Sequence, residues 1–257
     1  MERDDEMAVT TLQATVDLAL AETIFYPKHW RNVDTQLKTV DDLARFPLVE
    51  KKHLREAQAS LLTRSKMPDF LLFTGGTLVA PTLLERDLEE AANWARRNEE
   101  AFRMLGGERK RLGLSLSTPT NATGFHVPGW PVLAIPLLLE KHFHLAVSLL
   151  TRTFHWTDSQ DRVSVLIGNT ERIKLLTSWL IGNDVQVDTF AIEDVYCSGT
   201  LLTRRWKRII ETYWQANVTE TYGLSETPGV LFSTCRWDSP ALRWGWLRAW
   251  PAWARCS

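Results

Sequence analysis

Apolar residues along this chain recur with two periods, and the switch from one to the other marks out the elements. "AVTTLQATVDLALAETIF" (residues 8–25) places its apolar side chains at helical spacing, and Pro27 ends the run because its ring cannot continue a helix. "KTVDDLARFPLVEKKHLREAQ" opens on Thr39 and Asp42, spaced as a capping box, then stops at Pro47 and restarts. Two short helices separated by "FPLVEK" are predicted there. From Leu84 the series Leu84, Leu88, Ala91, Ala95, Asn98, Phe102 and Leu105 steps by four and three towards a Gly106-Gly107 C-cap, which predicts a helix.

Further on the pattern alternates between classes. "RLGLSLS" sets Leu112, Leu114 and Leu116 on one side of a half-buried strand, and "TPTNATGFHVPGW" is a turn-rich loop. "WPVLAIPLLLEKHF" reads as a buried helix, "LAVSLL" and "VSVLIG" as short strands, and "NTERIKLLTSWL" as a capped helix. "DVYCSG", "TRRWKRIIETYW" and "ANVTETYG" repeat strand, helix and strand. Alternating elements of these lengths predict an α/β fold, sheets flanked by helices.

Composition narrows the classes of function. The 257 residues approach the size at which a single core stops growing, and 30 basic against 31 acidic residues leave a formal charge of −1. No global field draws in nucleic acid or an anionic membrane, so any anion is held locally. The start "MERDDEMAVTTLQ" is acidic and polar, and no stretch reaches the ~18 apolar residues of a spanning helix. A cytoplasmic protein is expected. Cys197, Cys235 and Cys256 are odd in number and lack CxxC spacing, which predicts reduced thiols. His142 and His144 have no acidic partner at ligand spacing and are assigned no metal.

Three segments carry candidate chemistry: "FTGGTLVAPT" (73–82), "CSGTLLT" (197–203) and "TETYGLSE" (219–226). A Gly/Thr-rich loop after "FLLF" can wrap a phosphate with backbone N–H groups and hydroxyls, or be an ordinary tight turn. In the third segment Tyr222 offers a ring face to a purine, Ser225 a hydroxyl to a phosphate, and Glu226 a hard oxygen to Mg²⁺. The plainer reading of that segment is a strand-end turn with a solvated glutamate. A dinucleotide-binding oxidoreductase fits the strand and helix order, but no G-x-G-x-x-G follows a strand.

In this order the segments resemble the adenylate-forming superfamily of acyl-CoA synthetases, adenylation domains and luciferases, most of all the phenylacetate-CoA ligase branch. "DDLARFPLVEKKHLR" (41–55) is similar to that branch's opening motif, and Thr74, Gly75, Gly76, Thr77, Pro81 and Thr82 match part of its phosphate loop. Ser198, Gly199, Thr200, Leu201, Leu202 and Thr203 correspond to its Gly-x-Glu-Pro-Leu-Thr element, and Tyr222 to Glu226 reproduce "YGLSE" in full. The resemblance implies the large N-terminal domain of such an enzyme, ATP and Mg²⁺ as its requirements, and a small-molecule carboxylic acid, most plainly an aryl acid, as substrate. It implies Tyr222 and Gly223 at the adenine, Ser225 at the α-phosphate, Glu226 on Mg²⁺, and Gly199 and Thr200 between adenine and acyl pockets. His126 would sit at the acyl-pocket mouth. The acceptor would be CoA or a carrier protein, in aromatic catabolism or in secondary-metabolite assembly such as that of phenazine-type antibiotics.

Two departures qualify the resemblance. "GGTLVAP" puts Leu78, Val79 and Ala80 where relatives keep a hydroxyl, a glycine and often a lysine, which implies a weaker phosphate grip and a rival reading, a homologue that binds without turnover. The chain also stops before the ribose-binding aspartate and the small C-terminal domain with its catalytic lysine, so residues 1–235 are expected to be an incomplete N-terminal domain. Residues 236–257 hold five tryptophans and four arginines with no steady period, and Pro240 and Pro251 argue against a membrane-surface helix. This tail is expected to lie outside the cooperative fold, as the product of a shifted reading frame would. Limited proteolysis should therefore remove residues 236–257 first; cleavage of internal loops with the tail spared would contradict it.

Overall fold

The structure, a computed structural model, describes residues 2–56, 69–73, 83–89, 92–93, 96, 111–116, 131–156, 160–223 and 232–233. The chain divides into two compact units, residues 1–85 and 86–257.

In the first unit, α1 (Glu2–Glu22) begins earlier than its apolar period and ends before Pro27. Pro27 lies inside a second helix, α2 (Phe25–His29), within the first turn, where a missing N–H breaks no helical bond. Thr23 sets this corner: its hydroxyl donates to the Ala19 carbonyl and accepts from the Tyr26 N–H at 3.2 Å. The predicted capping pair holds, but on a 3₁₀ helix (Val40–Arg45). The Asp42 carboxylate accepts from the N–H groups of Lys38 (2.7 Å) and Thr39 (2.9 Å), and these bonds hold its pKa below the usual carboxylate value. After "FPLVEK" comes α3 (Lys51–Glu56), as the restart predicts. Strands β1 (Phe70–Phe73) and β2 (Leu83–Arg86) pair as a two-stranded sheet. The helix expected from Leu84 therefore starts later, with residues 88, 89, 92, 93 and 96 helical and the rest of the expected span outside the described residues.

The second unit is built on a seven-stranded sheet. Strands β3 (Leu112–Leu116), β4 (Val132–Ala134), β6 (Gln160–Asn169), β7 (Asp194–Ser198) and β8 (Asn217–Tyr222) run parallel in the order β4-β3-β6-β7-β8, and β9 (Phe232–Ser233) adds an antiparallel edge. β5 (Thr153–His155) pairs antiparallel with the start of β6. Three helices supply the crossovers: α4 (Glu140–Thr151), α5 (Thr170–Gly182) and α6 (Arg204–Trp214). Phe143, Ala146 and Leu150, Ile173, Leu176 and Leu180, and Ile210 and Trp214 join Leu114, Leu166, Val195 and Val218 in one apolar core. Trp214 keeps its indole satisfied there, donating to Thr177 Oγ1 at 2.9 Å.

Three expectations are corrected here. β3 is buried along its whole length rather than half-buried, as strands of parallel sheets are when crossover segments cover both faces. Within "WPVLAIPLLLEKHF", Val132–Ala134 form strand β4 between Pro131 and Pro136, residues 135–139 are irregular with Leu137 at a φ of +37°, and helix begins only at Glu140. "LAVSLL" is helical, because Phe143, Ala146 and Leu150 recur at steps of three and four and place one face on the core. His142, in the first turn of α4, accepts at Nδ1 from the Leu138 and Leu139 N–H groups. His144 stands edge-on to Trp179, with ring centroids 5.1 Å apart.

The amino ends of the strands are locked by one buried charge. Arg111, just before β3, is 3% exposed; it meets Asp194 Oδ2 at 2.5 Å and Glu193 at 3.1 Å, and donates to the Ser164 carbonyl at 3.0 Å. Asp194 in turn accepts from Asn217 Nδ2 at 3.1 Å, so β3, β6, β7 and β8 are tied across the sheet. Arg111→Ala would take the guanidinium away from the buried Asp194 carboxylate. It should lower the unfolding free energy by about 3–5 kcal/mol in urea denaturation, while Arg111→Met with Asp194→Leu should recover most of the loss. A small effect of Arg111→Ala alone would contradict this role.

Candidate functional site

Because five strands of the sheet are parallel, their carboxyl ends fall on one edge: Leu116 is level with Gly168, Asn169 with Ser198, and Cys197 with Glu220. β4 lies on one side of β3 and β6 on the other, so the chain reverses its direction of travel across the sheet at β3. In open α/β sheets the crevice outside the carboxyl ends at such a point is where ligands bind.

The described part of this edge centres on Gly199. Its φ is +80°, a left-handed value that side-chain-bearing residues rarely adopt. A Cβ there would stand 2.4 Å from Asn169 Nδ2. Asn169 caps α5, its Oδ1 accepting from the Glu171 N–H at 2.9 Å, and so cannot withdraw without opening the helix start. Around Gly199, Ser198 Oγ donates to the Gly168 carbonyl and Thr200 Oγ1 to the Glu171 carboxylate, both at 3.3 Å. Lys174 pairs with Glu171 at 2.8 Å and lies 5.9 Å from the Trp206 ring centre. On the neighbouring strand, Glu220 accepts from the Leu202 N–H at 3.1 Å, which ties the loop after β7 to β8. Burial pushes the Cys197 thiol up to about 12, and the nearby Glu220 carboxylate adds to this. It is a neutral thiol inside the sheet, not a nucleophile at its edge.

The structure brings together five of the residues named from sequence. Ser198 ends β7 and Gly199 and Thr200 turn away from it; Tyr222 ends β8, one strand over, with Gly223 just beyond. Tyr222 is 53% exposed. Thr74, Gly75, Gly76, Thr77, His126, Ser225 and Glu226 lie outside the described residues, as does Cys235. Among the described residues no three His, Cys, Asp or Glu side chains converge as a metal site, and no helix is long and apolar enough to cross a membrane. Sequence reasoning read the Asn169 cap but missed Thr170, Glu171 and Glu220, which with it hold the turn. "GNT" between an apolar strand and a helix signals a cap, but not the glycine it faces 30 residues on.

No family model and no curated protein sequence matches the chain. Solved structures do. 2-Hydroxyisobutyryl-CoA ligase, in the thioesterification state in complex with 2-HIB-AMP and CoA, superposes with a TM-score of 0.75 at 18% identity, over 88% of this chain and 50% of that one. Its open conformation, with the same two molecules, gives a TM-score of 0.73 at 18% identity, over 87% and 54%. This chain thus has the fold of the N-terminal domain of adenylate-forming enzymes, and at that identity the likeness is one of fold. It spans about half the length of those ligases.

The tightness at Gly199 is directly testable. Gly199→Ala should cost about 1–2 kcal/mol from the left-handed backbone alone, with the Asn169 clash adding to it, as read by denaturant unfolding. An alanine variant as stable as the parent would show that the turn has another conformation.

Proposed function

We propose that this chain is the acid-activating portion of an ATP-dependent ligase. A substrate carboxylate oxygen attacks the α-phosphorus of ATP, the bond to the β-phosphate oxygen breaks, and acyl-adenylate and pyrophosphate are the products. In this reading Tyr222 and Gly223 receive the adenine, Gly199 and Thr200 divide adenine from acyl group, Ser225 meets the α-phosphate, and Glu226 is the ligand for Mg²⁺. Thr74 to Thr77 wrap the remaining phosphates and His126 stands at the acyl-pocket mouth. The acid is an aryl acid, by the likeness to phenylacetate-CoA ligase motifs, and the acceptor is CoA or a carrier-protein thiol. Such transfer depends on positioning and charge neutralisation more than on covalent help from the protein.

The observation that carries this reading is the left-handed Gly199 turn at the carboxyl edge, one strand from Tyr222. It is supported by the fold shared with a ligase whose crystals hold 2-HIB-AMP and CoA. A second reading, binding of acid or nucleotide without turnover, is favoured by Leu78, Val79 and Ala80 in the phosphate loop. Val79 resists the positive φ a glycine would take, and each lost charge-assisted bond to phosphate is worth roughly 1.5–3 kcal/mol.

ATP–pyrophosphate exchange against a panel of aryl and aliphatic acids separates the two. Exchange stimulated by an aryl acid supports activation, ATP binding without exchange supports the second reading, and neither would overturn both. Glu226→Gln should abolish Mg²⁺-dependent nucleotide binding while leaving the thermal midpoint unchanged. Unfolding of that variant would make Glu226 structural.

A further inference from the structure

Thr170, the first residue of α5, is fully buried, and its single hydroxyl proton lies between two carbonyl oxygens: Thr200 O at 2.8 Å and Ser198 O at 3.1 Å. Those carbonyls flank Gly199. The hydroxyl thus draws in the two sides of a turn whose centre takes a left-handed φ, and it does so from a helix start already fixed by the Asn169 cap. The neighbours on α5 add weaker ties, since Asn169 lies against Gly199 and Glu171 meets the Thr200 hydroxyl, but both Gly199 and Thr200 are open to solvent. Thr170 is the one member of this group hidden from water. The donor itself is shielded from solvent, and its loss would take from the Ser198 and Thr200 carbonyls the hydroxyl that draws them towards the start of α5.

We propose that Thr170 is a positioning residue: its hydroxyl holds the Ser198–Gly199–Thr200 turn in the conformation that receives ligand at the carboxyl edge. This rests on the reading of that edge as the junction of nucleotide and acid, and it adds to that reading a residue that touches neither. Valine at this position keeps the branched shape and removes the donor; serine keeps the donor and removes only a methyl group.

The test compares the full-length parent with Thr170→Val and Thr170→Ser by ATP calorimetry, thermal midpoint and the ¹H–¹⁵N amide shifts of Gly199 and Thr200. The expected result is displaced Gly199 and Thr200 shifts in Thr170→Val, about tenfold weaker ATP binding, equivalent to roughly 1.4 kcal/mol, and recovery of both in Thr170→Ser. A purely structural role would lower the midpoint and leave the affinity of the folded fraction unchanged, which would overturn the proposal. Unmoved amide shifts in Thr170→Val would overturn it as well. If the parent itself does not bind ATP, the nucleotide reading fails, and the shifts still decide whether Thr170 holds the turn. Should Thr170→Val not fold, Thr170→Ser decides: affinity and shifts at parental values support the hydroxyl's role, and a loss of either overturns it.

Discussion

The ion pair between Arg111 and Asp194 is the constraint on which the arrangement of the sheet depends. A parallel strand that slips by one residue turns every side chain to the opposite face, and strands buried on both faces give little apolar penalty against such a slip. Arg111 supplies that penalty. Its guanidinium fits Asp194, Glu193 and the Ser164 carbonyl in one register, and Asp194 passes the constraint on to Asn217. A slip would strand a buried charge, which costs far more than a misplaced leucine.

Locking the amino ends fixes the carboxyl ends, because the strands are rigid and parallel. Thr170 then lies beneath the turn after β7, and Glu220 reaches Leu202 from the next strand. The two edges are thus specialised in opposite ways: one is closed by buried charge, the other is a set of turns held from below and open above. Gly168 belongs to the same design, since a Cβ there would stand 3.1 Å from that of Leu116. The sheet fits tightly where the site is anchored.

Much of this was legible in sequence where the signal is local. The Asn169 cap, the amphipathic run of α6 and the apolar strands β6, β7 and β8 each carry their own pattern within a dozen residues, and the order of strand and helix gave the α/β class. The misread elements are those where two patterns compete. "LAVSLL" is apolar enough for either class, and only its packing against the sheet decides for helix. Leu84 fits a helical series yet lies on β2, since pairing with β1 overrides the period. Arg111 and Thr170 were invisible for another reason: their partners lie 83 and 30 residues away, and a lone arginine or threonine does not announce which carboxylate or carbonyl it will meet. The site motifs themselves came from resemblance, and five of their residues lie at the carboxyl ends of the adjacent strands β7 and β8.

The central claim is that ligand chemistry belongs to the carboxyl edge around Gly199 and Tyr222. A crystal structure with a non-hydrolysable aryl-adenylate analogue tests this most directly. The account predicts the purine against Tyr222 and the Ser198–Thr200 turn, with the acyl group on the far side of Gly199. An analogue bound instead in the open cleft between α5 and α6 lined by Val185, Arg208 and Tyr213 would contradict it.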